Sequence, residues 1–416
     1  LLHGVECCKL LPVVGNMGGT EMPTKNEALE QLARDLDISP RNYQRAIERK
    51  QAIERHLTAD PSLNNPAVTL QGSLRLGTAV RPLKEDKEGD YDVDIVCELN
   101  RDKASTSPYQ IKHLVGDSLK SNGTYKKMLE PEGRRCWTLE YAEENEVGFH
   151  IDILPCVPED ERSRNRILMQ GVSHDKAGKA IAITDLDKSS QQYDWNPSNP
   201  GGYALWFDEQ NAPLLKESRY EESMLLMERH GEFFSDIGGV PDEYIHTPLQ
   251  RVIQLLKRHR DSVFLNHELA DYKPISIIIT TLATHLAQPS DNVEMLLDRF
   301  ISEIGHIKHR QIPHVFYKNA KDEWVIPNPV APEENFADRW SDDNLREKAF
   351  FHWIECLEQH FQKLFKRKPH DASELLREAM TGRNKTDSLS EIASLLAAAT
   401  GVAIISSESH AQPWSS

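Results

Sequence analysis

Three aspartates at alternating positions stand in the run Asp90-Tyr91-Asp92-Val93-Asp94-Ile95-Val96. On a strand, alternate side chains share a face. The sequence therefore predicts Asp90, Asp92 and Asp94 pointing together while Tyr91, Val93 and Ile95 turn to the core. Neighbouring carboxylates repel one another unless a cation neutralises them, and a divalent metal ion is the simplest neutraliser. A solvated acidic strand edge would read the same in isolation. His150-Ile151-Asp152-Ile153-Leu154-Pro155 adds one more acid in an apolar strand, with Ile151 and Ile153 on the face opposite Asp152. Earlier, Gln71-Gly72-Ser73-Leu74-Arg75-Leu76-Gly77-Thr78 follows a strand-like run. There Gly72 lets the backbone approach an anion closely, and the Ser73 hydroxyl with the N–H groups after it can bind phosphate oxygens.

None of these segments says much alone; a great many turns contain Gly-Ser. Their order says more. A strand, a Gly-Ser turn, an Asp-x-Asp strand and a later strand with a third Asp together resemble the nucleotidyltransferase superfamily of polymerase β type. That resemblance implies two Mg²⁺ or Mn²⁺ ions held by three carboxylates. One ion lowers the pKa of the attacking hydroxyl, the other neutralises the triphosphate, and both stabilise in-line displacement at the α-phosphorus. It also implies that Asp92 and Asp94 bridge the metals and Asp152 completes the site, with Asp90 in a supporting place.

Elements must carry these residues. Residues 25–37 and 39–59 read as helices. The second has Ser39 as cap and Pro40 at the first helical position, and it could form a spine between two lobes. Residues 67–71, 91–99, 137–141 and 147–154 read as strands and 111–121 as a helix, which predicts a mixed sheet. The stretch 160–245 reads as loop-rich, densest in turn signals over 193–206. Beyond Thr247 the pattern is helical over 247–262, 274–288, 291–304, 343–366, 372–381 and 387–400. The expected fold is α+β and bilobed, with a polymerase β-like catalytic lobe, a helical lobe and the active site in the cleft. The expected boundaries are 1–38 for an N-terminal extension and helix, 39–245 for the catalytic lobe, 246–400 for the helical lobe and 401–416 for a flexible tail.

Over most of its length the chain looks like a bacterial cGAS/DncV-like nucleotidyltransferase of the antiviral CBASS type. The resembling segments are 72–96, 152–158, Thr184-Asp185, 198–203 and 328–340. The resemblance implies a cyclic di- or trinucleotide made from NTPs such as ATP and GTP. It also implies a signal in antiphage defence and regulatory or effector proteins of the same system as partners. Lys257 and Ser276 fall where that family holds the donor triphosphate from the helical lobe, and Gln71, Gly72 and Ser73 where it binds nucleotide. Ile277 stands where animal relatives stack an aromatic residue on a base, so Tyr203 becomes the candidate replacement. The connector from Thr78 to Asp90, with Arg81, Lys84 and Lys87, reads as a mobile loop.

A formal charge of −16 over 416 residues argues against a broad polynucleotide surface, since phosphate neutralisation needs clustered Lys and Arg. With no counterpart of the zinc insertion of DNA-sensing relatives, double-stranded DNA is not an expected activator. The cysteines at 7, 8, 97, 136, 156 and 356 form no CxxC pair, so neither structural zinc nor disulfides are expected. No apolar run is long enough to span a bilayer, and Leu10–Val14 is too short; a cytoplasmic, membrane-free enzyme is expected. The alternatives are a terminal nucleotidyltransferase acting on RNA, an inactive nucleotide-binding scaffold and a sugar transferase with a metal-binding Asp-x-Asp. The acidic balance disfavours the first, the full set of acids the second, and the Gly-Ser turn with the third Asp the last.

Overall fold

A computed structural model describes residues 24–82, 90–144 and 147–366. The irregular start, most of the 78–90 connector, the helices expected at 372–381 and 387–400 and the tail at 401–416 lie outside the described residues.

The chain enters through two capped helices. Thr24 and Glu27 close a capping box on α1 (Lys25–Arg34). Ser39 caps α2 (Pro40–Ala59) by accepting from the Asn42 N–H, with Pro40 at a position that needs no donor. Next come β1 (Ala67–Leu70), the short α3 (Gly72–Arg75), β2 (Tyr91–Glu98), α4 (Pro108–Ser121) and α5 (Gly123–Met128). β3 (Trp137–Glu144) and β4 (Val147–Pro158) pair antiparallel, and α6 (Glu161–Met169) and α7 (His174–Ala177) lead to a further pair, β5 (Ile181–Asp187) and β6 (Gln192–Ser198). The long α8 (Pro200–Asp236) then opens the helical part, with α9 (Pro248–Val263), α10 (Ser276–Leu286), α11 (Val293–Gly305) and α12 (Asn344–Lys366). Between α11 and α12, β7 (Tyr317–Lys318) pairs with β8 (Trp324–Val325), and β9 (Pro327–Asn328) with β10 (Ala331–Asn335). Among the described residues no helix is long and apolar enough to cross a membrane.

The main sheet runs β1-β2-β4-β5-β6, with β3 also on β4. β2 and β4 are parallel and the other pairs antiparallel, the mixed sheet that the sequence predicts. β4 changes partners along its length. Residues 149–153 lie between β2 and β3, whereas 156–158 pair with β5. On one face Val93, Ile95, Ile151 and Ile153 are fully buried in a core with Ile53 of α2 and Ile111 and Val115 of α4. That apolar face fixes the register, because a one-residue slip would drive the acids into the core.

One expectation needs correction. The 160–245 stretch is built of elements, and its densest turn signal hides a helix start. Asn199 Oδ1 accepts from the Gly202 N–H at 3.0 Å and Pro200 takes the first helical position, so an Asn-Pro that reads as a turn is the cap of α8. Leu29 and Ala33 of α1 and Tyr203, Phe207 and Leu214 of α8 join Leu249, Ile279, Phe300 and Trp353 in the helical core.

Candidate active site

Asp94 and Asp152 are register partners across the parallel β2–β4 pair, and Asp92 is the partner of His150. Register partners lie side by side on one face, so these residues form a polar patch opposite the buried Val93 and Ile151. Thr138 of β3, the partner of Asp152 on its other side, donates its hydroxyl to Asp152 Oδ1 at 2.5 Å. His150 Nδ1 lies 3.7 Å from Asp92 Oδ1. Asp90 lies close enough to raise Asp92. It precedes β2, and its carboxylate accepts from the Gly148 N–H at 3.0 Å, tying β2 to the start of β4.

Electrostatics single out Asp94. Burial, then Asp152 and Asp92, push its carboxyl up to about 6, while Lys257 pulls the other way. Desolvation also raises Asp92; His150 opposes this, and Asp152 and Asp90 add to it. Among the described residues no three His, Cys, Asp or Glu side chains converge on one point. The donor set is thus a shared carboxylate face rather than a finished cage. Its oxygens are the hard ligands that Mg²⁺ and Mn²⁺ take, so the chemistry of the donor set fits such ions.

The Gly-Ser turn sits against the same carboxylate. Gln71 N–H donates to Asp94 O at 2.9 Å, carrying the β1–β2 ladder into the turn. Gly72 has φ +66°, and a Cβ there would lie 2.2 Å from Asp94 Oδ2. Only glycine meets both demands at this position. Ser73 follows at the start of α3, its carbonyl accepting from the Thr78 N–H at 2.9 Å. The sequence thus placed Gln71, Gly72 and Ser73 beside the acids, and the fold brings them together.

Residues 66–155 match the family described as "Cyclic GMP-AMP synthase DncV-like, nucleotidyltransferase domain". Over 363 residues the chain is 28% identical to a c-di-GMP synthase of Roseivirga ehrenbergii, covering 86% of this chain and 84% of that one. It is 25% identical over 341 residues to the cyclic dinucleotide synthase CdnG of Bradyrhizobium diazoefficiens, covering 79% and 73%. The chain carries a DncV-like nucleotidyltransferase domain. Its fold agrees with the solved structure of the Bradyrhizobium diazoefficiens CdnG in complex with GTP, at TM-score 0.60 and 20% identity over 89% of this chain and 98% of that one.

Beyond this domain the helical-lobe candidates lie deeper than the sequence suggests. Lys257 is no solvated surface lysine: it is buried, and its Nζ donates to Thr78 O and Thr78 Oγ1, both at 3.0 Å. Burial, then Arg260, bring its ammonium down to about 7, against the pull of Asp261 and Asp94. Ser276 opens α10, half-buried, and its Oγ accepts from Arg260 Nη1 at 2.9 Å. Tyr203 is a correction. Its ring is buried in the helical core beside Trp206, and its hydroxyl pairs with Thr281 Oγ1 at 2.8 Å, leaving no open face for a base.

Sequence reasoning missed Thr138, which becomes visible only once the β3–β4 register is known. A cavity of about 610 Å³ lies between the β6 end of the sheet and the helices, lined by Arg135, Asn196, Ser198, Lys273, Glu334 and Arg339. Asp185 fixes the approach to it, accepting from Arg134 Nε at 2.5 Å and Arg135 Nε at 3.0 Å. Asn196 and Ser198 face inward because they oppose Ile183 and Ile181 in the β5–β6 register. The alternation that aims them was hidden by the turn-rich composition around them.

Proposed function

We propose that this nucleotidyltransferase condenses two NTPs into a cyclic dinucleotide, releasing one pyrophosphate for each phosphodiester bond formed, and that two divalent ions take part. The observation that carries this reading is the side-by-side placement of Asp94 and Asp152 with the glycine of the Gly-Ser turn against Asp94. Two relatives that align with most of the chain are named as cyclic dinucleotide synthases, which supports cyclisation, and one is named for c-di-GMP, which makes GTP the first substrate to test. Asp92, Asp94 and Asp152 would hold Mg²⁺ or Mn²⁺, which would supply charge neutralisation at the triphosphate and a more acidic attacking hydroxyl. Thr138 orients Asp152 by donating to one of its oxygens. Gly72 and Ser73 would hold the triphosphate. The cavity beside Asn196 and Ser198 lies within the usual range of roughly 300–1,000 Å³ for small-molecule sites, and it would seat the second nucleotide. Production of a signal for antiphage defence, acting on an effector protein, completes the proposal and rests on the family resemblance.

The test is incubation with labelled ATP, GTP, CTP and UTP plus Mg²⁺ or Mn²⁺, with phosphatase-resistant products read by mass spectrometry. Asp94→Asn and Asp152→Asn should each lower product formation by at least about 1,000-fold, because each removes charge from the carboxylate face. Wild-type protein that yields only open chains would refute cyclisation. Undiminished product in chelator would refute the metal requirement.

A further inference from the structure

The turn that carries Ser73 is held from both lobes. Its entry belongs to the sheet: Gln71 N–H bonds Asp94 O, and Leu74 packs in the sheet core. Its exit belongs to the helices, since Leu76 is part of the helical core and Val80 packs against it. One stripe of α9 reads the main chain of that exit. Gln250 Nε2 donates to Leu76 O at 2.9 Å, Lys257 Nζ to Thr78 O at 3.0 Å, Gln254 Nε2 to Ala79 O at 3.0 Å, and Arg258 to Arg81 O. The spacing i, i+4, i+7, i+8 puts all four on one helical face.

The two glutamines are the informative members. Gln250 and Gln254 are buried, at 8% and 0% exposure, where an apolar side chain would pack at less cost. Their amides are engaged at both ends. Gln250 Oε1 accepts from the Thr247 N–H at 2.9 Å, and Gln254 Oε1 from Arg251 Nη1 at 3.2 Å. Gln254 Nε2 also donates to Asp37 Oδ1 at 2.9 Å in the linker between α1 and α2. Gly77 has φ +63°, and a Cβ there would lie 2.3 Å from Gln250 Nε2, so the turn is shaped to admit that amide.

We propose that Gln250 and Gln254 are positioning residues for the triphosphate-binding turn, splicing its exit to the helical lobe so that it grips phosphates only while the two lobes hold their relative placement. This rests on the reading of residues 71–78 as the phosphate-binding turn. Gln250→Met and Gln254→Met keep the length and lose the donor. They are compared with wild type by equilibrium binding of whichever non-hydrolysable NTP analogue wild type binds most tightly, by hydrogen exchange over 72–81, by thermal unfolding and by kcat at saturating nucleotide. The dissociation constant is expected to rise about tenfold, with lost protection over 72–81 but not over β2 and β4, and with kcat within about threefold of wild type. Gly77→Ala disturbs the same contact from the turn side and should reproduce the weakened binding if a glutamine variant does not fold. Unchanged binding and exchange would overturn the proposal, as would a loss of binding that merely tracks a fall in thermal stability of the whole chain. If wild type binds no analogue, the phosphate-turn reading and this proposal fall together. If it binds an analogue yet makes no cyclic product, only the cyclisation reading falls.

Discussion

A Cβ on Gly72 would meet Asp94 Oδ2 at 2.2 Å and would have to tolerate φ +66°. Gly72→Ala must therefore move either the turn or the carboxylate. Misplacement of reacting groups by about 1 Å costs on the order of 100-fold in rate, and that loss is expected in initial-rate assays with NTP, beside a lowered thermal midpoint from the strained backbone. A near-wild-type rate would show that the contact is incidental. The acids and the Gly-Ser turn were legible in the sequence because their chemistry is local: alternation on a strand and a φ that suits glycine both follow from adjacent residues. Tyr203 was not legible, because its surroundings depend on a helix whose start was concealed. Lys257 was half legible; the residue was picked out, but its burial against Thr78 comes from a neighbour far away in the chain.

At the scale of elements, Asn199 shows how one residue sets a long helix. Its Oδ1 accepts from the Gly202 N–H, and its Nδ2 donates to Lys176 O at 3.1 Å and Val330 O at 3.2 Å, so it joins α8 to α7 and to the segment between β9 and β10. Asn199→Ala removes the cap and strands two carbonyls. The expected destabilisation is about 2–4 kcal/mol, read as a lower urea midpoint with an unchanged denaturant slope. A shift below about 0.5 kcal/mol would mean that water replaces the amide freely. Helices with capping residues ahead of clean periodicity, such as α2 and α9, were readable to within a residue or two. β5, β6 and α8 were not, because Gly, Pro and Asn are turn formers in isolation and cap or helix-start residues once a core lies behind them. The small β7–β10 ladders lacked the length to leave a periodic signal.

For the whole molecule, the packing of α1 and α8 into the helical core was not foreseeable, because their apolar faces do not announce which partner they will meet. The packing of α9 on α12 adds a pH dependence. Trp353 Nε1 donates to His259 Nδ1 at 3.1 Å, so the His259 proton sits on Nε2 and is given to His360 Nδ1 at 2.9 Å. Burial, then His360, hold His259 down to about 3, well below its unfolded value near 6.5. Between those values the unfolded chain binds the extra proton, so this stabilisation is complete above about pH 6.5 and is lost as pH falls toward 3. The slope approaches about 1.4 kcal/mol per pH unit for this one group. Urea midpoints measured from pH 7.5 to 5 should fall in wild type, and fall less steeply in His259→Gln; parallel slopes would contradict this account. The parallel pairing of β2 with β4 has a consequence for biosynthesis. Asp94 and Asp152 belong to segments that leave the ribosome at well-separated times, with α4, α5 and β3 translated between them. The nascent chain therefore carries the Gly-Ser turn and Asp94 long before Asp152 can stand beside them, and the proposed chemistry must wait until β4 docks, a late and non-local event of the kind that makes folding slow.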